Sequence, residues 1–259
     1  FLSTFSASPC PEVIFGALSR LTNNIRLGFG VVILPYHHPV RVAERVAMVD
    51  QLSHGRVEFG TGRSAPYEQM GMGIDPRDTR EMWEESLTMV PKIWESDFFE
   101  WEGKFWNVPP RQVLPKPFQK PHPPIWVGGE SEPALRRVIQ HGDAWYPVGS
   151  NPRYPLNTRE RYESAVKQLS QLAEVQGRDP ATIRLAYWAN WYNESGAVFL
   201  HDGQRHLFTG NSEEIATDIR LFREIGVDHL LFNFQRDTLE HSLESMDNFV
   251  ENILPMAED

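Results

Sequence analysis

Cysteine is almost missing from this chain: Cys10 is the only one in 259 residues. That excludes an internal disulfide and any metal site built from several thiolates. Basic side chains are in the minority, 25 Lys and Arg against 35 Asp and Glu, for a net charge of -10. A nucleic-acid surface needs the opposite balance, so nucleic-acid binding is set aside. No run approaches the roughly 18 consecutive apolar residues of a membrane-spanning helix, so no membrane partner is expected. The first residues carry no charged stretch ahead of an apolar core, and no secretory leader is expected. These absences together lead to the expectation of a soluble, cytoplasmic protein.

What is present is enough to build a core. Hydrophobic residues make up 41% and charged residues 23%, the balance of a packed globular protein rather than a disordered one. The length suits one large α/β barrel or two ordinary domains. The stretch from Ile25 to Ser64 organises the rest. Ile25 to Pro35 is a β-rich apolar run. Val40 to Leu52 reads as a helix, begun by Pro39 and closed by Gly55. Arg56 to Arg63 is a second strand ending in a Gly60-x-Gly62 turn. Strand, helix, strand over this distance is a parallel crossover unit, with its ligand side at the carboxyl ends of the strands. Gly28 and Gly30 share one side of the pleat, which suits either barrel packing or the close approach of a flat ring.

The rest of the chain continues the alternation. Phe1 to Pro11 is rich in Ser and Pro and opens with no strand, and Glu12 to Thr22 follows as a helix. Ala65 to Arg77 is expected to be a loop covering a site, and Asp78 to cap a long helix to Phe98 that Pro91 kinks or breaks. Gly103 to Pro124 reads as an extended, proline-rich excursion lying on the barrel. Pro124 to Gly129 is a short strand that turns, through Glu130 and Ser131, into a helix ending at His141. Pro133 fits the first turn of that helix, whose free N–H groups suit a phosphate. Strands Ala144–Val148, Ile183–Tyr192 and Asp228–Phe234 alternate with helices Thr158–Gln176, Asn211 or Ser212 to Ile225, and Leu239–Met256. Six βα units in one direction suggest a parallel sheet, closed or doubly wound.

The run Val32-Ile33-Leu34-Pro35-Tyr36-His37-His38-Pro39-Val40-Arg41, with Ala43-Glu44, Asp50 to Arg56 and Phe59-Gly60-Thr61-Gly62-Arg63, resembles the bacterial luciferase-like flavin-dependent monooxygenases. The similarity extends through Pro123 to Val127 with Glu130-Ser131, and through Gly226-Val227-Asp228 to Leu254-Pro255. It implies an α/β fold, a (β/α)8 TIM-type barrel, as a single domain over 1–259. It also makes the first visible strand the family's third. The first two strands and first helix of the pattern, about 45 residues, are then lacking upstream.

The resemblance implies flavin mononucleotide at the carboxyl face, and it assigns residues. Arg63 matches a phosphate-binding arginine, a fork that suits a phosphate better than the alternative surface salt bridge. Gly129, Glu130 and Ser131 match the phosphate turn, although a family threonine farther on is Ala134 here. Gly30 and Val31 lie where the third strand passes the flavin ring, and Gly62 belongs to the same cofactor set. His38 matches a luciferase histidine and His37 does not; both are catalytic candidates at the ligand end of the strand, with helix capping the competing role for His38. Trp126, Trp188 and Trp191 are candidates for the wall of an apolar substrate pocket. His201, Asp202 and His206 lie in a polar loop without a well-spaced further ligand, and no metal is expected.

The expected activity is that of an FMN-dependent monooxygenase acting with reduced flavin and O2 on a small organic substrate. A flavin reductase would supply the reduced flavin, and the protein would be a homodimer. F420-dependent hydride transfer on the same fold is the alternative, and a non-catalytic luciferase-like subunit the next. An aldolase-type barrel is disfavoured because no lysine stands at a strand end to form a Schiff base.

Overall fold

The structure, a computed structural model, describes residues 10–258. The Ser- and Pro-rich opening lies, up to Pro9, outside the described residues. The chain forms two compact units, Phe1–Trp126 and Val127–Asp259.

In the first unit α1 (Pro11–Leu21) precedes a strand that is not continuous. The single run expected from Ile25 to Pro35 is two short pieces, β1 (Leu27–Gly28) and β2 (Val32–Ile33), followed by a 3-10 turn, Leu34–Tyr36. Both pieces pair in parallel with β3 (Val57–Gly62): Leu27 lies opposite Val57, and Val32 opposite Thr61. Counting along the two ladders, the intervening Phe29-Gly30-Val31 bulges out of register. Gly60 and Gly62 therefore lie inside β3, not in a turn after it. Between these strands runs α2 (Pro39–Leu52). Its Val42, Ala43, Val46, Ala47 and Val49 are all buried, as the 3.6-residue spacing requires. Asp50, fully buried near its end, accepts the Gln119 backbone N–H at 2.9 Å and its side-chain amide at 2.8 Å. That pair of bonds ties down the proline-rich segment.

Two elements depart from the sequence reading. The expected loop 65–77 contains a short helix, α3 (Pro66–Gly71). Helix α4 (Thr79–Glu95) runs through Pro91 without a break. Asp78 stands at its N-cap position but makes no side-chain capping bond. The segment after α4 opens with an antiparallel hairpin, β4 (Phe99–Glu102) and β5 (Asn107–Arg111), which the Pro109-Pro110 pair concealed. A two-stranded ribbon has a free edge on each strand, where a missing N–H is tolerated. Glu85 on α4 secures the hairpin tip. It accepts from Trp101 Nε1 at 3.0 Å and from the N–H groups of Phe105 and Trp106, each at 3.1 Å. Strand β6 (Ile125–Val127) then carries the chain from one unit into the other.

In the second unit the alternation continues with α5 (Glu132–His141), β7 (Ala144–Trp145), α6 (Arg159–Val175), β8 (Arg184–Ala189), α7 (Ser212–Ile225) and β9 (Val227–Phe232). Strands β7, β8 and β9 pair in parallel. The expected closing helix, Leu239–Met256, is α8 (Leu239–Asn248), a π-turn over Phe249–Ile253, and α9 (Leu254–Glu258). The helix ends follow the sequence signals closely. Thr158 caps α6, and Asn211 with Glu214 forms a full capping box on α7. Gly226 closes α7 at φ +95°. The core is aromatic. Trp145 stacks on Tyr162 at 5.6 Å, and Tyr162 on Phe222 at 4.7 Å, with Tyr187 edge-on to Tyr162 and Phe222.

Candidate functional site

In the first unit the bulge explains both glycines of β3. A Cβ on Gly60 would sit 1.9 Å from the Phe29 carbonyl oxygen, and one on Gly62 would sit 2.6 Å from a Val31 methyl. No side chain fits under the bulge, so the two positions are held to glycine by their neighbours. The Gly30–Val31 peptide bond is cis. Gly28 is under no such pressure, since its Cβ would meet only Glu58 Cβ at 3.9 Å.

Past β3 the backbone turns through Ser64 at φ +66°. The buried Gln69 amide donates to the carbonyls of Arg63 at 2.7 Å and Ser64 at 2.9 Å, and Ser64 Oγ bonds Glu68. The half-buried Arg63 is thus mounted on a clamped turn, its Nη1 reaching Thr79 Oγ1 at 3.4 Å. A guanidinium so placed is a cation of fixed position whose planar fork matches the geometry of a phosphate.

The two histidines divide their work. His38 is the N-cap of α2, and its Nδ1 accepts the Val40 N–H at 3.3 Å, so the capping role holds. Burial first, and Arg111 second, push its pKa down. The Trp106 ring stands edge-on to it at 5.0 Å. His37 is half-buried and lines a cavity with Tyr36. Burial, then Arg45, lowers its pKa as well. Both imidazoles are therefore neutral at physiological pH, and a neutral ring can accept or donate a hydrogen bond. Trp126 is buried, with its indole N–H donated to Glu58 at 2.8 Å.

In the second unit β6 leads into Gly128-Gly129-Glu130-Ser131 and then α5. Gly129 adopts φ +110°, and a Cβ there would lie 2.6 Å from that of Ala134. A Cβ on Gly128 would lie 2.8 Å from the Tyr146 carbonyl oxygen. Trp145 Nε1 holds the Gly129 carbonyl at 2.9 Å. Glu130 is buried, and its carboxylate accepts from the Val148 N–H at 2.8 Å and Asn151 Nδ2 at 2.5 Å. Burial raises its pKa, and these bonds oppose the rise. Glu130 thus braces the turn against the loop after β7. Ser131 is the N-cap of α5, yet its hydroxyl makes no capping bond, which leaves it available to a ligand at the helix N-terminus. Trp188 is half-buried and stacked on Tyr146 at 6.3 Å, whereas Trp191 is 56% exposed and packs against His206. In the polar loop Asp202 pairs with Arg161 at 2.8 Å and the buried His206 bonds the Leu207 carbonyl.

Sequence reasoning missed Gln69, Glu85 and Asn151, because each acts on a partner brought to it by the fold. For Gln69 the one signal was its place in the chain, an amide six positions after the motif arginine. For Asn151 and Glu85 there was none, since their partners lie about twenty residues away.

The site can be set beside known proteins. A sequence profile described as luciferase-like monooxygenase matches residues 3–190. The oxygenase component of the flavin-dependent trigonelline monooxygenase of Acinetobacter baylyi is 33% identical over 141 residues, 53% of this chain and 39% of that protein. An uncharacterized protein of Mycobacterium bovis is 30% identical over 192 residues, 69% of this chain and 65% of its own length. The chain thus spans about two fifths to two thirds of the length of these curated relatives. Among solved structures, monooxygenase RslO1 from Streptomyces bottropensis superposes with TM-score 0.76 at 24% identity, over 96% of this chain and 83% of that one. An F420-dependent secondary alcohol dehydrogenase reaches TM-score 0.76 at 17% identity, over 96% and 84%. These likenesses establish the α/β, TIM-type fold.

Proposed function

Because the chain belongs to the luciferase-like monooxygenase family, we propose that it is the oxygenating component of a two-component flavin system. In this reading it takes reduced FMN from a separate reductase and, with O2, oxidises a small organic substrate. The observation that carries it is the turn into α5: two glycines where a Cβ would collide, a braced Glu130, and a serine hydroxyl at a helix N-terminus that the helix itself does not use. This is the chemistry of a phosphate seat. We assign Gly129, Glu130 and Ser131 to the nucleotide's phosphate and Arg63 to charge neutralisation. Gly30, Val31 and Gly62 are assigned to the backbone facing its ring. The flavin supplies the electron transfer and the activation of oxygen. The chain's part is to hold the nucleotide, keep water out and orient the substrate. His37 and His38 are assigned to hydrogen bonding or proton movement near the ring, and Trp126, Trp188 and Trp191 to an apolar substrate wall.

F420-dependent hydride transfer is the second reading. A structure of that class is as similar in fold as a monooxygenase is, both at TM-score 0.76. The flavin reading is preferred because a relative 33% identical over 141 residues is the oxygenase component of a flavin-dependent monooxygenase. Parallel titrations of reduced FMN and F420 test the choice. Reduced FMN is expected to bind well below about 1 mM, and Ser131→Ala to weaken it roughly tenfold, the loss of one hydrogen bond to a charged group. If neither nucleotide binds below that range, the reading fails.

The homodimer is assigned to the outer faces of α1 and α2. Val13 and Leu21 are 70% and 79% exposed there, and Met48 and Leu52 are 49% and 42% exposed. Apolar side chains grouped this way on neighbouring helices suit a partner helix pair.

A further inference from the structure

The backbone donors that open α2 can be accounted for one by one. Pro39 has none, and the N–H groups of Arg41 and Val42 both reach the His38 carbonyl, at 2.9 and 3.2 Å. That leaves the Val40 N–H, whose acceptor is the His38 Nδ1 at 3.3 Å. A ring nitrogen that accepts carries no proton, so the neutral imidazole holds its hydrogen on Nε2. His38 is exposed, and among the described residues nothing accepts from that Nε2–H.

A second proton would turn Nδ1 from acceptor into donor. It would then meet the Val40 N–H donor against donor, and Val40 is buried, so water does not readily replace the lost bond. Two charges act on the ring in opposite senses: Arg111 on β5 disfavours a charged imidazole, and Glu44 on α2 favours one.

The hairpin keeps the ring in this pose. Trp106 stands edge-on to it, centroids 5.0 Å apart. Trp106 is itself fixed through its backbone, its N–H donating to Glu85 at 3.1 Å and its carbonyl accepting from Gly103 at 3.0 Å. Its indole N–H is buried and unpartnered, so the contact with His38 is ring against ring and uses no hydrogen bond.

We propose that Trp106 is a positioning residue for His38, locking it as the Nε2–H form, a donor that cannot take a proton without giving up the cap of α2. The consequence for chemistry rests on the flavin reading: the histidine's part there narrows from proton movement to hydrogen-bond donation. The locked ring does not depend on that reading.

The test uses the full chain, isotope-labelled at the histidine nitrogens and free of nucleotide, with His38 assigned by His38→Asn. Above its titration, long-range proton–nitrogen correlation should show Nδ1 wholly unprotonated and Nε2 wholly protonated, where a free imidazole exchanges between two forms. Val40 amide protection should fall roughly fivefold as His38 is protonated, the worth of one capping bond. Trp106→Ala should move both nitrogens toward the averaged values of a free imidazole and lower Val40 protection. Trp106→Phe keeps a ring and drops only the unused N–H, and should restore both readouts. Should Trp106→Ala not fold, Trp106→Leu, with apolar bulk but no ring, should shift both in the same direction. The proposal is overturned if His38 carries its proton on Nδ1 or mixes its two forms in the intact chain. It is also overturned if the alanine variant changes neither readout, if Val40 protection ignores the titration, or if the phenylalanine variant behaves like the alanine one. Adding reduced FMN should leave Nδ1 unprotonated, and a ring protonated at both nitrogens in its presence would overturn the donor role. Absence of FMN binding would strike the proposed function and leave the locked ring standing.

Discussion

Gly60 and Gly28 carry the same residue for different reasons, and substitution separates them. Alanine at 60 would drive a methyl into the Phe29 carbonyl, a backbone atom that cannot swing aside. Alanine at 28 meets only ordinary contact. Gly60→Ala is expected to cost about 3 kcal/mol and to lower the melting temperature by roughly 6–12 °C. Gly28→Ala should change stability by less than about 1 kcal/mol, and thermal melts of the two variants check the contrast. The histidines give a second prediction at this scale. His37 and His38 both have pKa values below the ordinary 6.5. The unfolded chain therefore binds more protons than the folded one between the depressed values and 6.5, and stability should rise with pH across that window and level off above it. Replacing both, His37→Gln with His38→Asn, should flatten the slope in urea melts taken from about pH 5 to about pH 7.5. Of this scale the sequence revealed the chemistry-bearing residues and little of their contacts. His38 was legible as a cap, because capping is local. The bonds of Glu130 to Val148 and Asn151 were not, because they join turns that only the fold brings together.

Among the elements, the hairpin after α4 depends on one carboxylate. Glu85→Ala would remove the acceptor for two backbone N–H groups and one indole N–H at its tip. Water can replace part of that loss at a half-buried site, so the expected cost is about 1–3 kcal/mol. Amide exchange should accelerate at Phe105 and Trp106 and stay unchanged in α7. Equal acceleration in both would mean that the side chain supports the whole fold and not the hairpin. The contrast between hairpin and helices also marks what pattern reading can reach. Helices α2, α6 and α7 were legible within a residue or two, because caps such as Thr158 and Asn211 and the stop at Gly226 act on their own neighbours. The hairpin was hidden because Pro109-Pro110 belongs to a proline-rich stretch that reads as an extended excursion, where an edge strand accommodates both. The split of the first strand was hidden because Gly28 and Gly30 fit an unbroken strand as well as a broken one.

For the molecule as a whole, the motifs from Val32 to Arg63 carried the family assignment, since their combined spacing is more specific than any one of them. The cofactor choice was not carried, because flavin and F420 each bring a phosphate to the same kind of turn. Association is a property of this scale too. Met48→Asp, on the outer face of α2, should leave the fold intact, since the side chain is half in solvent, and should shift the protein to monomer in sedimentation velocity. An unchanged sedimentation coefficient would overturn the assignment of a dimer to this face. No helix among the described residues is long and apolar enough to cross a membrane.

The bulge at Phe29–Val31 and the bare backbone beneath it form one unit written at two distant places in the chain. The dependence runs one way: a relative that kept the kink while acquiring a side chain at 60 would not close its sheet, whereas one that straightened the kink would be released from glycine at both 60 and 62. Across the family, then, a side chain at either position should occur only where the kink is lost.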